Sequence, residues 1–174
     1  VLTKPIGVGI LNTATKAELL PPEKIKELTN VMTTLNKYAK DSFKNLTVNS
    51  CTDITGFSLI GHSHEMASGS DKTINIFTES LPILNDALEY ARMGIIPEGM
   101  YNNLEYLQNL FTCSNNISQE MKDILLDPQT SGGLLLSMPE KDALEYMSRM
   151  ELYNPWTRII GEVTDKKDYS IIIK

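Results

Sequence analysis

The sequence of 174 residues predicts an α+β domain in which helices cover a mixed β-sheet. Two observations predict this class. About five segments have the alternation or the apolar run of strands, and five or six have helical spacing, in mixed order. Residues 134–138 are almost wholly apolar, which is typical of a central strand buried on both faces. The length suffices for one domain with its own core.

The composition excludes several classes of protein. The net charge is −6, which argues against a nucleic-acid partner or an anionic membrane, because both need clustered lysine and arginine. No apolar run approaches the roughly 18 residues of a membrane span. The two cysteines make no disulfide framework, so we expect a reduced, cytoplasmic protein. The sequence begins without methionine inside a strand-like segment, and we expect it to be part of a longer protein.

In the first half of the chain, alternation predicts a strand over residues 2–11. Gly7 and Gly9 leave one face of that strand bare, either for a closely packed helix or for a ligand. Apolar residues at spacings of three and four predict one long helix over residues 23–40, which starts after two prolines.

In the second half, turn residues separate shorter elements. These are a strand over 73–78, a helix from Ser80 to Gly94, a short helix over 103–111, a helix capped by Ser118 that runs to Leu126, a strand over 134–138, a helix over 139–150, and strands over 156–163 and 169–173.

Residues 51–62 (CTDITGFSLIGH) contain the strongest site signal. Thr52 and Asp53 are helix N-cap residue types, and a helical spacing of apolar residues follows them. Gly56 and Gly61 would each cost that helix about 1 kcal/mol relative to alanine. A carboxylate at a helix start either caps the helix or, with a cation, helps to hold phosphate oxygens. From this segment alone, both interpretations of Asp53 stay open.

Three segments together resemble one family. Residues 2–9 (LTKPIGVG), 52–62 (TDITGFSLIGH) and 127–135 (DPQTSGGLL) closely resemble the carboxy-terminal half of selenophosphate synthetase. Residues 96–103 and 160–163 fit the same pattern, so the resemblance covers essentially the whole chain. The family belongs to the aminoimidazole-ribonucleotide-synthetase-like superfamily, which implies a mixed sheet covered by helices and a single domain over residues 1–174.

The resemblance implies ATP-dependent conversion of selenide and water to selenophosphate, AMP and phosphate, with Mg²⁺, by a homodimeric protein. The family's amino-terminal half carries the reactive cysteine or selenocysteine, a nearby lysine and most acidic metal ligands. None of that half is present in this sequence. We therefore expect the 174-residue chain to fold but not to turn over by itself.

The resemblance also assigns residues. It makes Asp53 a ligand of the Mg²⁺ ions that bridge the ATP phosphates, a role that suits a hard carboxylate oxygen. Ser131, Gly132 and Gly133 either present free amides to the nucleotide site or form a plain tight turn.

Four further residues have more than one interpretation. Lys4 is a solvated strand-end lysine by default and a cleft residue by analogy. His62 is interpreted as a packed, hydrogen-bonded histidine in preference to a catalytic base. Cys51 and Ser58 stand where the family commonly has alanine and glycine. We expect Cys51 to be a small buried filler, not the nucleophile, and Ser58 to stiffen its helix slightly.

Two other functions compete with this interpretation. One is a domain of another ATP-using superfamily member, such as a thiamine-monophosphate-kinase-like protein. The other is a stand-alone binding module without catalysis. The sequence of residues 127–133 (DPQTSGG) favours selenophosphate synthetase, because thiamine-monophosphate-kinase-like proteins lack it.

Overall fold

Two β-sheets, linked by the first residues of the chain, organise the fold. The computed structural model describes residues 1–174. The helices are α1 (Val8–Lys16), α2 (Pro22–Thr33), α3 (Lys37–Ser42), α4 (Ser58–Gly69), α5 (Ala87–Arg92), α6 (Glu98–Leu107), α7 (Gln119–Leu125) and α8 (Glu140–Met150). The strands are β1 (Ser50–Asp53), β2 (Lys72–Ile76), β3 (Phe111–Cys113), β4 (Leu134–Ser137), β5 (Gly161–Asp165) and β6 (Ile171–Ile173).

The larger sheet has the strand order β3-β6-β2-β5. Its β2–β5 pair is antiparallel, whereas β2–β6 and β3–β6 are parallel. The smaller sheet pairs β1 with β4 in antiparallel fashion. Leu2 bridges Leu135 of β4 on one side and Arg158, just before β5, on the other. The predicted α+β class with a mixed sheet is confirmed.

Most of the apolar side chains form one core between the helices and the larger sheet. A second, smaller core lies between α3, β4 and α8 and consists of Ala39, Leu136, Tyr146 and Met150. No helix combines the length and the apolar composition that a membrane span requires.

The predicted strand over residues 2–11 is wrong. Leu2 and Ile6 make only isolated bridges, and α1 begins at Val8. Gly7 has a φ of 105°, a conformation that glycine adopts easily, and this residue turns the chain into the helix. The bare glycine face instead allows close packing, because a Cβ at Gly7 would lie 2.7 Å from the Ala87 Cβ.

The predicted helix over residues 23–40 is two helices, α2 and α3. The chain leaves the helical conformation at Thr34, whose ψ is 121°. Asn36, between the two helices, donates from Nδ2 to the Gly132 carbonyl oxygen over 2.9 Å. A contact between residues so far apart in sequence cannot be recognised from local spacing.

The helix predicted to start at Asp53 begins later, at Ser58. Asp53 ends strand β1, where it lies opposite Leu134, and Gly56 lies in a turn before the helix. Gly61 is inside α4, where a Cβ would lie 2.9 Å from the Phe57 Cβ. The helix-capping interpretation of Asp53 is therefore wrong, because strand pairing takes precedence over the capping pattern.

The remaining elements agree more closely with the prediction. Two helices differ: the helix expected from Ser80 forms only as Ala87–Arg92, because the preceding backbone pairs with Ile6, and the helix expected over 103–111 lies at Glu98–Leu107. The strand expected over 156–163 lies at Gly161–Asp165, and strand β3 was not predicted. Ser118 caps α7, as predicted, by accepting a hydrogen bond from the Met121 amide.

Ser58 occupies a strained position, which fits the glycine that the resemblance implies there. Its φ is 68°, and its buried Oγ has no hydrogen-bond partner. We expect Ser58→Gly to raise the free energy of unfolding by about 1 kcal/mol, because glycine adopts positive φ without steric cost. Thermal unfolding should show a melting temperature about 2–4 °C higher.

Ser63 provides the matched control for Ser58. Its Oγ is also buried without a partner, but the residue lies inside α4. Ser63→Gly should lower the melting temperature, since glycine weakens a helix interior. Stabilisation by both substitutions, or by neither, would contradict a strained backbone at Ser58.

Candidate functional site

Three segments that are distant in sequence meet at one end of the smaller sheet. They are the start of the chain, the end of β1 and residues 127–133, which we call the 127–133 loop. Three hydrogen bonds tie them together: Ile54 N to Gly133 O (2.8 Å), Leu134 N to Thr3 Oγ1 (2.7 Å) and Lys4 Nζ to Ser131 O (2.8 Å). The resemblance motifs are therefore neighbours in space.

Asp53 presents an unengaged carboxylate at this junction. The residue is exposed, and its side-chain oxygens take part in no hydrogen bond or ion pair. An unpaired carboxylate with both oxygens free can accept a cation or a donor from a ligand. The geometry is compatible with the metal-ligand interpretation that the resemblance implies.

The 127–133 loop directs its carbonyl groups into the protein. The carbonyl oxygens of Ser131, Gly132 and Gly133 accept from Lys4 Nζ, Asn36 Nδ2 and Ile54 N. By contrast, the amides of residues 130–133 donate to no acceptor in the protein. Consecutive free amides attract anions. The segment is thus both a tight turn into β4 and a set of unused donors.

The two glycines of this loop are required by space. A Cβ at Gly132 would overlap the Ile54 carbonyl oxygen. A Cβ at Gly133 would lie 2.5 Å from the Lys4 amide nitrogen and 2.8 Å from Thr3 Oγ1. The absence of side chains lets the loop, β1 and the chain start approach each other through their backbones.

Asp127 and Gln129 fix the loop to the start of α1. The Gly9 amide donates to Asp127 Oδ2 (2.8 Å), and the Val8 amide donates to Gln129 Oε1 (3.2 Å). Gly7, the N-cap residue of α1, offers no side chain for this purpose. This cap was not predicted, because its side chains come from a segment distant in sequence. The polar residues of the motif were its only signal.

The buried Asp127 should make stability depend on pH. Burial raises the pKa of its carboxyl to about 7. Hydrogen bonds from Gln129 and the α1 amides lower the pKa, but their effect is smaller than that of burial. The neutral form is favoured in the folded protein, so its contribution is complete below the ordinary pKa of 3.8 and is lost as the pH rises to about 7. We expect this group to remove about 3 kcal/mol of the free energy of unfolding between about pH 5 and 8.

Urea unfolding of Asp127→Asn at both pH values checks this expectation. The amide does not titrate, so this variant should lose that part of the pH dependence. Asp165→Asn changes an exposed carboxylate, whose pKa is lowered by Lys72, and should retain it. If the free energy of unfolding changes equally with pH in the wild type and in Asp127→Asn, then Asp127 stays charged in the fold.

His62 lies in a chain of three side chains. Its Nε2 is 3.1 Å from Thr55 Oγ1, and its Nδ1 is 3.0 Å from Glu65 Oε2. His62 is only 8% exposed, so the predicted packed, hydrogen-bonded histidine is confirmed. Because a carboxylate accepts at Nδ1, that nitrogen carries a proton. The sequence analysis missed Thr55 and Glu65, although a spacing of three on one helix makes Glu65 a neighbour of His62.

The default interpretation of Lys4 as a solvated lysine is wrong. The residue is only 2% exposed, and burial lowers the pKa of its ammonium group. Its Nζ donates to the Ser131 carbonyl oxygen, so Lys4 holds the 127–133 loop against the start of the chain.

The expected burial of Cys51 is also wrong. Cys51 lies on β1, whose alternate side chains face outward, and it is exposed. Desolvation of the thiol raises its pKa, and the charge of Asp53 raises it further. A raised pKa disfavours the thiolate, which is the nucleophilic form of cysteine.

Cys51→Ala should therefore leave near normal the selenide-dependent activity that the resemblance implies for the full-length protein. The substitution removes an exposed, protonated thiol and leaves the backbone pairing of β1 in place. The measurement is AMP formation from ATP with selenide, beside thermal unfolding. A variant that folds normally but forms no AMP would identify Cys51 as a functional thiol.

The residues present fit one magnesium ligand but not a complete site. Mg²⁺ prefers carboxylate oxygens, and Asp53 offers a free one. No group of three or more histidine, cysteine, aspartate and glutamate residues lies close enough together to hold a metal ion. Further ligands would have to come from outside this chain.

Comparisons with known proteins agree with the motifs. A model of the family described as "AIR synthase related protein, C-terminal domain" matches residues 1–174. The chain is 64% identical over 174 residues to a protein of Clostridium botulinum (strain Eklund 17B / Type B) named selenide, water dikinase. That match covers 100% of this chain and 50% of the relative. A protein of the same name from Clostridioides difficile (strain 630) is 45% identical, with 99% and 50% covered.

A solved structure supports the fold. The thiamine-monophosphate kinase from Stenotrophomonas maltophilia K279a matches with a TM-score of 0.62 at 14% identity, over 99% of this chain and 48% of that one. The chain spans about half the length of the curated relatives it matches. The predicted resemblance to the carboxy-terminal half of selenophosphate synthetase is confirmed. The chain belongs to the family of AIR synthase related proteins, of which it is a C-terminal domain.

Proposed function

We propose that this chain is the C-terminal domain of an ATP-dependent selenophosphate synthetase and contributes one carboxylate to its magnesium and phosphate site. The observation that carries the proposal is the unengaged Asp53 carboxylate at the junction of β1 and the 127–133 loop. The names of the relatives, selenide, water dikinase, support selenide and ATP as the substrates of the whole protein.

In this proposal, Asp53 and the 127–133 loop have complementary tasks. Asp53 would bind Mg²⁺ together with ligands from the other half of the protein. The bound ion would neutralise phosphate charge, which is the main requirement of phosphoryl transfer. The free amides of residues 130–133 would donate to phosphate oxygens, and Gly132 and Gly133 would let the loop pack closely on β1 and the start of the chain. Lys4 and Asn36 would keep these amides in place by holding the loop carbonyls.

The His62–Thr55 hydrogen bond would stabilise the turn between Asp53 and α4. Thr55 lies two residues after Asp53, and its carbonyl oxygen accepts from the Gln129 amide over 3.0 Å. The same residue thus connects the candidate metal ligand to the 127–133 loop. We further propose that the whole protein is a cytoplasmic homodimer.

Product analysis tests the proposed function. The full-length protein, incubated with ATP and Mg²⁺, should form AMP and phosphate only when selenide is present. ADP formed in the presence of thiamine monophosphate would instead support a thiamine-monophosphate-kinase-like protein. No turnover with either substrate would support a binding module. The 174-residue chain, assayed in parallel, should unfold cooperatively but form no AMP.

A further inference from the structure

A cleft of about 690 Å³ separates β4 from β5. Helix α4 forms its floor, and α8 flanks it. Its lining is mostly apolar and includes Met66, Ala67, Leu135, Leu144 and Ile160. Val1 lies at one end of this cleft. The opening therefore runs between the two sheets, where a single strand would fit.

The first two residues already form the beginning of such a strand. Leu2 and Arg158 exchange two backbone hydrogen bonds, of 2.8 and 2.9 Å. On the other side, the Leu136 amide donates to the Val1 carbonyl oxygen over 2.8 Å. Because the pairing with β4 is antiparallel, a residue before Val1 would lie opposite Ser137. The next one would lie opposite Met138, and both of these residues line the cleft.

The cleft presents unpaired backbone groups on both sides. The Phe77 amide donates to the Ile160 carbonyl oxygen, so the backbone groups of Ile160 face β2. Strand alternation then turns the N–H and C=O groups of Gly161 and Val163 towards the cleft. On the β4 side, Met138 makes no backbone hydrogen bond. Open edges of this kind pair readily with an added strand.

Two polar atoms in the cleft also support an added strand. The α-amino group of Val1 lies 2.7 Å from the Leu136 carbonyl oxygen, and burial lowers its pKa to about 5. The hydrogen bond from Val1 N to Leu136 O is the one that a strand N–H makes to β4. The buried Oγ of Ser63, which also lines the cleft, has no hydrogen-bond partner.

We propose that this cleft holds the polypeptide that precedes Val1 in the parent protein, which continues the Val1–Leu2 strand and joins the two sheets into one. The length of the relatives supports this occupant, because the chain covers only 50% of them and matches a C-terminal domain model. The combined sheet would have the order β1-β4-new strand-β5-β2-β6-β3. The proposed strand depends on the proposed function in one respect only, which is that the parent protein is longer than this chain.

The two faces of the new strand set its composition. Leu2 belongs to the main core, whereas Val1 packs against the smaller core beside α8. Residues that alternate before Val1 would face these same two cores in turn. The new strand should therefore be apolar on both faces, as buried strands are. About four residues would fill the cleft at roughly 3.3 Å per residue.

The test compares three chains: the 174-residue chain, the chain extended by about six natural upstream residues, and the same extension with two prolines facing the cleft edges. The natural extension should raise the melting temperature by about 5–10 °C. It should also slow amide exchange at Met138, Gly161 and Val163 at least about 10-fold. Proline cannot donate to a ladder, so the proline extension should lose both effects.

Other results would overturn the proposal. An extension that stays disordered, with unchanged exchange at Gly161 and Val163, would leave the cleft to another ligand. Exchange that slows in the unextended chain as its concentration rises would assign the cleft to a second copy. If the 174-residue chain does not fold, the two extended chains still provide the comparison. None of these measurements uses selenide or ATP, so failure of the proposed function would not affect them.

Discussion

Asp53→Asn in the full-length protein should lower the rate of selenide-dependent AMP formation by about 10²–10³-fold. That range corresponds to a loss of roughly 3–4 kcal/mol of transition-state stabilisation. The structure makes this substitution informative, because Asp53 caps no helix and forms no side-chain hydrogen bond. Asparagine retains the shape of the side chain and removes only the charge. An effect on the rate would therefore report on the charge of Asp53 and not on the fold.

Two controls accompany this substitution. Asp165→Asn removes a different exposed carboxylate, which pairs with Lys72 over 2.9 Å, and should leave the rate unchanged. In the 174-residue chain, Asp53→Asn should change the melting temperature little, with or without Mg²⁺ and ATP, because one carboxylate binds Mg²⁺ weakly. A full-length Asp53→Asn protein with normal activity would contradict the metal role.

The sequence predicted the class of the fold where burial alone determines the pattern. The alternation over residues 73–78 corresponds to β2, the apolar run 134–138 to β4, and residues 171–173 to β6. In each case the strand contributes buried apolar side chains to a core, so the pattern needs no knowledge of distant residues. The central place in the mixed sheet that the apolar run predicted is wrong, because β4 pairs with β1 in the smaller sheet and only Leu2 bridges its other side.

The wrong elements share a different physical cause, which is contact across long sequence separations. Helix α1 replaces a strand because Gly7 turns the chain and Asp127, 118 residues after Gly9, satisfies its first amides. The long helix is interrupted where Asn36 reaches Gly132, 96 residues away. Local periodicity contains no information about such partners.

The candidate site shows the same contrast between local sequence patterns and contacts of distant residues. The metal-ligand role of Asp53 stays a prediction from its motif, whereas the capping alternative was wrong because β1 pairs with β4. Nothing in the sequence around Lys4 indicated that its ammonium group would be buried against Ser131. The expected burial of Cys51 was wrong because alternate side chains of β1 face outward, and Cys51 shares the exposed face with Asp53.

Gly132→Ala should lower the free energy of unfolding by about 3 kcal/mol, the largest effect on stability that we expect from a single methyl group. The new Cβ would overlap the Ile54 carbonyl oxygen, which belongs to the backbone and cannot rotate away. Either β1 or the 127–133 loop has to move, and the hydrogen bond from Ile54 N to Gly133 O lies between them. Thermal unfolding should show a melting temperature about 6–12 °C lower.

Gly56→Ala is the matched control, because Gly56 is exposed in the turn after β1 and no atom lies within 4 Å of its added Cβ. This substitution should leave the melting temperature unchanged or raise it slightly, as alanine restricts the unfolded chain. In the full-length protein, Gly132→Ala should also lower AMP formation, since the displaced loop adjoins Asp53, whereas Gly56→Ala should not. If Gly132→Ala and Gly56→Ala have the same melting temperature, the three segments do not meet as closely as the structure indicates. The candidate site would then lose its geometric basis.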